Sequence, residues 1–289
     1  MKCPQGCGEM LAGELLWVCG WCGASEPRQS PPLLFPPPLV HIPAGFFWQG
    51  SRDDDPRAQP HERPLRRVWL DEYAISIYPI TNDDYRVYVE QTQAAEPDHW
   101  ATRPPTGIHA RHPVCFVTWN EAMNYCRWIS EVTGTPFSLP TEAQWEKAAR
   151  GGEWLDGDAA AQVPNPHPQR TFPHGRPDLL STEANFAGVC GGTTPIGVFS
   201  ESISPYQCFD MVGNVSEWCW DTYDAKGYHN LPETNPRNES RGDRVVRGGS
   251  WRSEADHARC SNRYFYNPDR KSYGIGFRIV QIESAPTES

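Results

Sequence analysis

Three short helices with explicit start and stop signals, separated by long stretches without helical period, constrain this fold most. In "TWNEAMNYCRWISEVTG" Thr118 stands three residues before Glu121, the spacing of a capping box, and Gly134 supplies the stop. Ala122, Tyr125, Cys126, Ile129 and Val132 then fall on one helical stripe, which makes Cys126 a small core residue. "PTEAQWEKAARGG" repeats the pattern with Thr141, Gln144 and Gly151, and "TNDDYRVYVEQT" opens at Thr81. Its Asp83 and Asp84 suit the positive end of the helix dipole, and Tyr85, Val87, Tyr88 and Val89 give an apolar side. The rest reads as short strands, in "LVHIPAGFFWQG", "RRVWLDEYAISIYPI", "RVVRGGSW" and "GIGFRIV", and as loop, above all between Glu153 and Thr193. With 29 Pro, 24 Gly and 12 Trp in 289 residues, aromatic rings must fill irregular space. The expectation is an α+β, loop-rich domain over residues 39–282, with a flexible tail at 283–289.

The N-terminus is a different object. "CPQGCGEMLAGELLWVCGWCG" places Cys3, Cys7, Cys19 and Cys22 in two knuckle-like pairs, and four thiolates suit tetrahedral Zn²⁺. Some twenty residues cannot bury a core, so residues 1–24 need a metal to hold them together as a zinc-ribbon-like module, which would contact a protein partner. The alternatives are incidental disulfides or free thiols. Consecutive prolines make residues 25–38 a semi-rigid linker. The formal net charge of −10 advertises neither nucleic acid nor an anionic membrane. No basic, apolar leader and no run of about 18 apolar residues is visible. The unpatterned cysteines of the main domain suit a reducing, cytoplasmic compartment.

Seven segments, in order, carry a resemblance: "IPAGFFWQGS", "YPITNDDYRVY", "VTWNEAMNYCRWI", "LPTEAQWEKAARGG", "CFDMVGNVSEW", "VVRGGSW" and "GIGFRIV". Together they resemble the formylglycine-generating-enzyme, or sulfatase-modifying-factor, family. That resemblance implies a variant of the C-type lectin fold. It also implies an oxidase that holds copper with two cysteines after the Gly-Gly-Ser motif. Here "GGSWRSEADHARCSNR" has Ser253 at the first of these positions and no cysteine at the second. A hydroxyl does not replace a thiolate on Cu(I). Cys260 matches a structural cysteine and is expected to be a buried thiol. The resemblance further implies Ca²⁺ in "DMVGNVSEW", with carboxylates from Asp210 and Glu217 and carbonyls from Gly213 and Val215. A second calcium site would begin at Asn185 and Phe186, but the acidic partner expected in "GGTTPIGVF" is missing. The bland reading of these loops is a set of solvated turns. His109 and His112 are the closest histidine pair and are expected to be solvated on a loop; Arg263 and Arg278 are expected to brace loops through ion pairs.

The segment 252–273 then reads as a long loop with a recognition composition. Arg252, Glu254, His257 and Arg270 are candidate ligand contacts. So are Lys271 and three tyrosines, Tyr264, Tyr266 and Tyr273, of which the first two share one face if the chain there is extended. The frame "GGSW…ADH…NR…NPDR…IGFR" also resembles the variable proteins of diversity-generating retroelements. The expected function is a non-catalytic module that binds a protein, peptide or glycan, as an adaptor or effector in a bacterial signalling or defence system. The alternative is an oxidoreductase or maturation factor with another active site.

Overall fold

The computed structural model describes residues 36–158 and 161–282; of the first 35 it describes three strands. These are β1 (Met10–Ala12), β2 (Leu16–Cys19) and β3 (Ser25–Pro27), an antiparallel sheet in chain order. The thiols of Cys3, Cys7, Cys19 and Cys22 lie outside the described residues, as does the tail 283–289. Since β3 pairs with β2, Ser25–Pro27 belongs with the small sheet although the sequence places it in the linker.

The main domain is α+β. The sheet β4-β7-β13-β8 joins Leu39–Ile42, Tyr73–Ser76, Val280–Gln281 and Phe137–Ser138, so the main domain's first and last strands flank β7 in one layer. A hairpin of β5 (Gly45–Gln49) and β6 (Arg66–Leu70) stands beside it. The other sheet has the order β11-β10-β9-β12, built from Tyr264–Tyr266, Arg244–Arg247, Ser216–Thr222 and Ile275–Gly276. Its strand β11 is an edge, and β12 runs parallel to β9. The central strand β9 is absent from the sequence reading. Burial of "SEWCWDT" at nearly every position hides the alternation that marks a half-buried strand.

The three helices form as their caps dictate. α1 (Asn82–Thr92), α2 (Trp119–Thr133) and α3 (Glu142–Arg150) each begin with a full capping box, on Thr81/Asp84, Thr118/Glu121 and Thr141/Gln144. Tyr85, Tyr88 and Val89 of α1 meet Tyr125, Trp128 and Ile129 of α2 in one core, together with Phe277 and Ile279. Val132 ends the α2 stripe but is 50% exposed, because the helix leaves the core one turn before Gly134. α3 packs Trp145, Ala148 and Ala149 into a second core with Ile42, Phe47, Val68 and Val245. Cys126 and Cys260 are both fully buried, and burial pushes the Cys260 thiol up to about 11.

Buried ion pairs hold these layers together. Arg247 on β10 donates to Glu142 and Glu146 of α3, both at 2.7 Å. Arg263 donates to both oxygens of Glu142, at 2.6 and 2.9 Å, sharing Oε1 with Arg247. Arg278 clasps Glu217 at 2.6 and 2.8 Å, and Arg259 clasps Glu62 at 2.8 and 2.7 Å. Arg263 and Arg278 are thus braces.

Removing one partner of such a pair strands a charge, so Arg247→Met is expected to cost about 3–5 kcal/mol by urea denaturation. Burial pushes the Glu62 carboxyl up, but Arg259 and the Ser51 hydroxyl pull it down further, to about 2 from an ordinary 4.5. A lowered carboxyl stabilises the fold above its ordinary range and loses that contribution as pH falls through about 4.5 toward 2. Glu62→Gln is therefore expected to lose stability at neutral pH and to flatten the acid limb by about 3 kcal/mol in denaturation series from pH 7 to pH 2.

Candidate functional site

After β10 the chain must turn sharply. Gly248 and Gly249 adopt φ of +88° and +65°, and a Cβ on Gly249 would stand 3.0 Å from Ala258 Cα. The Ser253 N–H donates to the Ser250 carbonyl at 2.9 Å, and the Ser250 N–H donates to the Ser253 hydroxyl at 2.9 Å. Their two hydroxyl oxygens are 3.3 Å apart. This hydroxyl pair lies on the wall of a cavity of about 520 Å³, in the range of small-ligand sites.

Six of the eight residues proposed from sequence line that cavity: Arg252, His257, Tyr264, Tyr266, Lys271 and Tyr273. Glu254 and Arg270 are exposed and do not line it. The segment 252–273 is not all loop, because β11 runs through it and adds to the sheet edge. Pairing gives Tyr264 and Tyr266 the same side, toward the cavity, while Phe265 turns away and stacks on Tyr223 at 4.4 Å between centroids. Tyr264 remains 56% exposed and Tyr266 is half-buried against Trp218. Lys271 is tied to Glu121 at 3.0 Å, whereas the Arg252 guanidinium has no ion pair among the described residues and rests near the Trp251 ring, 5.4 Å from its centre. None of the lining residues is acidic or a cysteine.

Phe116 forms another wall and was missed from sequence. Its ring packs on Tyr273 at 4.5 Å, and its φ of +63° is costly for an aromatic residue. The Phe116 N–H donates to the Ser272 carbonyl at 2.9 Å, which helps hold that conformation. Nothing in "VCFVTW" signals it, since the strain arises from the tertiary contact.

Arg252 and Tyr273 also line a second cavity, of about 330 Å³, on the side of the 99–115 segment. There the expectation of solvated histidines is corrected. His112 is buried at 7% exposure, and His109 lies 5.2 Å from it between ring centroids. Gly191, Gly192 and Thr193 line the same cavity, and the Thr193 hydroxyl lies 2.9 Å from His112 Nδ1. Burial, with the fields of His109 and Arg103, pushes the His112 imidazole down to about 3, so it is neutral at physiological pH.

The turn at Ser250 rests on the loops that the calcium expectation singled out. Gly213 N–H donates to the Gly248 carbonyl at 2.9 Å, and Trp251 N–H donates to the Asn214 carbonyl at 2.9 Å. A Cβ on Gly213 would stand 2.3 Å from the Asn185 carbonyl oxygen. Two oxygens around this junction are buried without a partner, Asn185 Oδ1 and Thr194 Oγ1. Burial pushes the nearby Asp210 carboxyl up to about 6, despite donation from Gly197 N–H and the field of Arg278. Unpaired hard oxygens beside an under-compensated carboxylate fit a cation. Glu217 fits it less well, because both its oxygens serve Arg278 and one also accepts from Trp145 Nε1 at 2.7 Å. The Phe186 carbonyl accepts from Val189 N–H.

A family profile described as the sulfatase-modifying factor enzyme 1-like domain matches residues 26–282. The chain is 31% identical over 303 residues to the inactive C-alpha-formylglycine-generating enzyme 2 of Mus musculus, covering 87% of this chain and 88% of that protein. It is also 31% identical to the serine/threonine-protein kinase pkn1 of Chlamydia caviae, over 84% of this chain. It spans 38% of that kinase's length. The structure of PvdO from Pseudomonas aeruginosa superposes with a TM-score of 0.68 at 30% identity, covering 85% of this chain and 94% of that one.

If a cation completes the Asn185–Asp210 junction, chelation with EGTA is expected to lower the melting temperature and added Ca²⁺ to restore it. Asn185→Ala is expected to abolish the response to both, as read by differential scanning calorimetry. An identical melt with and without chelator in the parent protein removes the cation.

Proposed function

Because the chain belongs to the sulfatase-modifying factor enzyme 1-like family, we propose that it uses that scaffold to bind a peptide, protein or glycan rather than to oxidise a cysteine. The observation that carries the reading is the chemistry of the larger cavity. Its wall carries two hydroxyls, Ser250 and Ser253, and at Ser253 the resemblance to the enzymes would place a soft thiolate. Around that wall stand three tyrosines and the cations Arg252 and Lys271. Tyrosine offers broad contact area with few torsions to freeze, and a cation adds orientation. The cation at Asn185 and Asp210 would fix the floor of this cavity, and Zn²⁺ on Cys3, Cys7, Cys19 and Cys22 would carry a separate protein contact. The bacterial adaptor or effector role extends the same reading to the whole protein.

Tyr264 is exposed at the cavity mouth, so its loss should remove contact area without unfolding the domain. Peptides or glycans selected on the parent protein from displayed libraries are expected to lose at least roughly tenfold in affinity on Tyr264→Ala and on Tyr266→Ala. Unchanged affinity in both variants overturns the proposal. Metal analysis of purified protein is expected to find no stoichiometric copper. Conversion of a cysteine-bearing peptide to formylglycine by the purified protein would restore the oxidase reading.

A further inference from the structure

The second cavity has a chemistry of its own. Two guanidiniums reach it, Arg103 and Arg252, and neither has an ion-pair partner among the described residues. Arg103 Nη1 lies against the loop opposite, 3.5 Å from the point where a Cβ on Gly192 would stand. The lining includes no aspartate or glutamate, in a chain whose formal net charge is −10. Pairing of two arginines with carboxylates would be the ordinary outcome in so acidic a protein. Here the cations are left to face a cavity.

The neutral groups point the same way. His112 Nδ1 lies 2.9 Å from the Thr193 hydroxyl, while its Nε2 is buried without any partner. When Thr193 donates to Nδ1, the imidazole proton sits on Nε2, and a buried orphan donor costs about 1–3 kcal/mol until an acceptor arrives. His99 Nδ1 is a second buried ring nitrogen without a partner on the same wall. After burial, the field of Arg103 opposes protonation of His99 and His109, and the fields of His109 and then Arg103 oppose that of His112. Asp98 is the carboxylate whose field reaches His99, and Arg103 outweighs it.

We propose that this smaller cavity is an oxyanion site, in which Arg103 and Arg252 hold a carboxylate or phosphate group and His112 Nε2–H donates the buried hydrogen bond. Arginine forks match the paired oxygens of both groups, and a neutral histidine adds a donor without requiring protonation. The site shares Arg252 and Tyr273 with the tyrosine-lined cavity but does not rest on that cavity's binding role, since an inorganic oxyanion is too small to need Tyr264.

The test uses the full chain with ¹³C-labelled histidine, titrated with inorganic phosphate and separately with acetate, at fixed pH and at ionic strength held with chloride. The expected result is a saturable shift of the His99 and His112 ring resonances. The tighter of the two anions identifies the group the site prefers. Arg103→Gln is exposed enough to leave the fold intact and is expected to weaken binding roughly tenfold or more. Arg252→Gln should do the same. Arg270→Gln, which removes an equal charge outside both cavities, and Tyr264→Ala should bind as the parent protein does. Absence of a saturable shift with either anion, or equal affinity in Arg103→Gln and the parent protein, overturns the proposal. Loss of peptide binding with retained phosphate or acetate binding would strike the larger cavity's reading alone.

Discussion

Arg247, fully buried between Glu142 and Glu146, carries the constraint on which the rest of this molecule depends. A domain with three helices of at most 15 residues and strands of two to seven has few ladder hydrogen bonds to spare for its loops. Buried guanidiniums supply them. Arg278 donates to the Ser76 and Phe209 carbonyls as well as to Glu217, and Arg263 donates to the His61 and Asp224 carbonyls as well as to Glu142. Each of these side chains ties two or three segments far apart in sequence. Desolvating such a charge is expensive, and its carboxylate partners offset that cost; of the Arg247 guanidinium, Nε alone is left buried without a partner among the described residues.

That frame explains why a wall made of loops can still have a fixed shape. The turn from Ser250 to Ser253 hangs from Asn214 and Gly213 on one side and from Ala187 and Gly188 on the other, through backbone hydrogen bonds of 2.7 to 2.9 Å. The strand that follows Arg263 then places Tyr264 and Tyr266 beside it. The side chains proposed to recognise a ligand thus stand on loops and a sheet edge whose backbone is set by buried charge, a division of labour that lets surface residues change while the frame does not.

Much of this was readable from the residues. The capping boxes at Thr118 and Thr141 announce two of the helices because a cap is a local event between a side chain and its own backbone, while the box of Thr81 with Asp84 emerged only in the structure. The seven ordered segments give the family. The face-sharing of Tyr264 and Tyr266 follows from the strand period alone. What escaped is tertiary. Strand β9 is buried on both faces, so its pattern has no polar beat. Phe116 adopts a left-handed backbone because Ser272 and Tyr273 hold it there. His112 looks like a loop histidine until the fold buries it beside Thr193, and Glu217 looks free until Arg278, 61 residues later, takes both its oxygens.

Arg252 and Tyr273 belong to both cavities. Occupants of the two chambers therefore meet through a common partition, and whatever displaces the Tyr273 ring from Phe116 re-forms both at once. Thermodynamic linkage makes such an influence mutual: the factor by which one guest alters its neighbour's dissociation constant is the factor it receives in return. A partition of two side chains, one of them a guanidinium without an ion pair among the described residues, would give two bound guests a means of cooperativity that needs no second subunit.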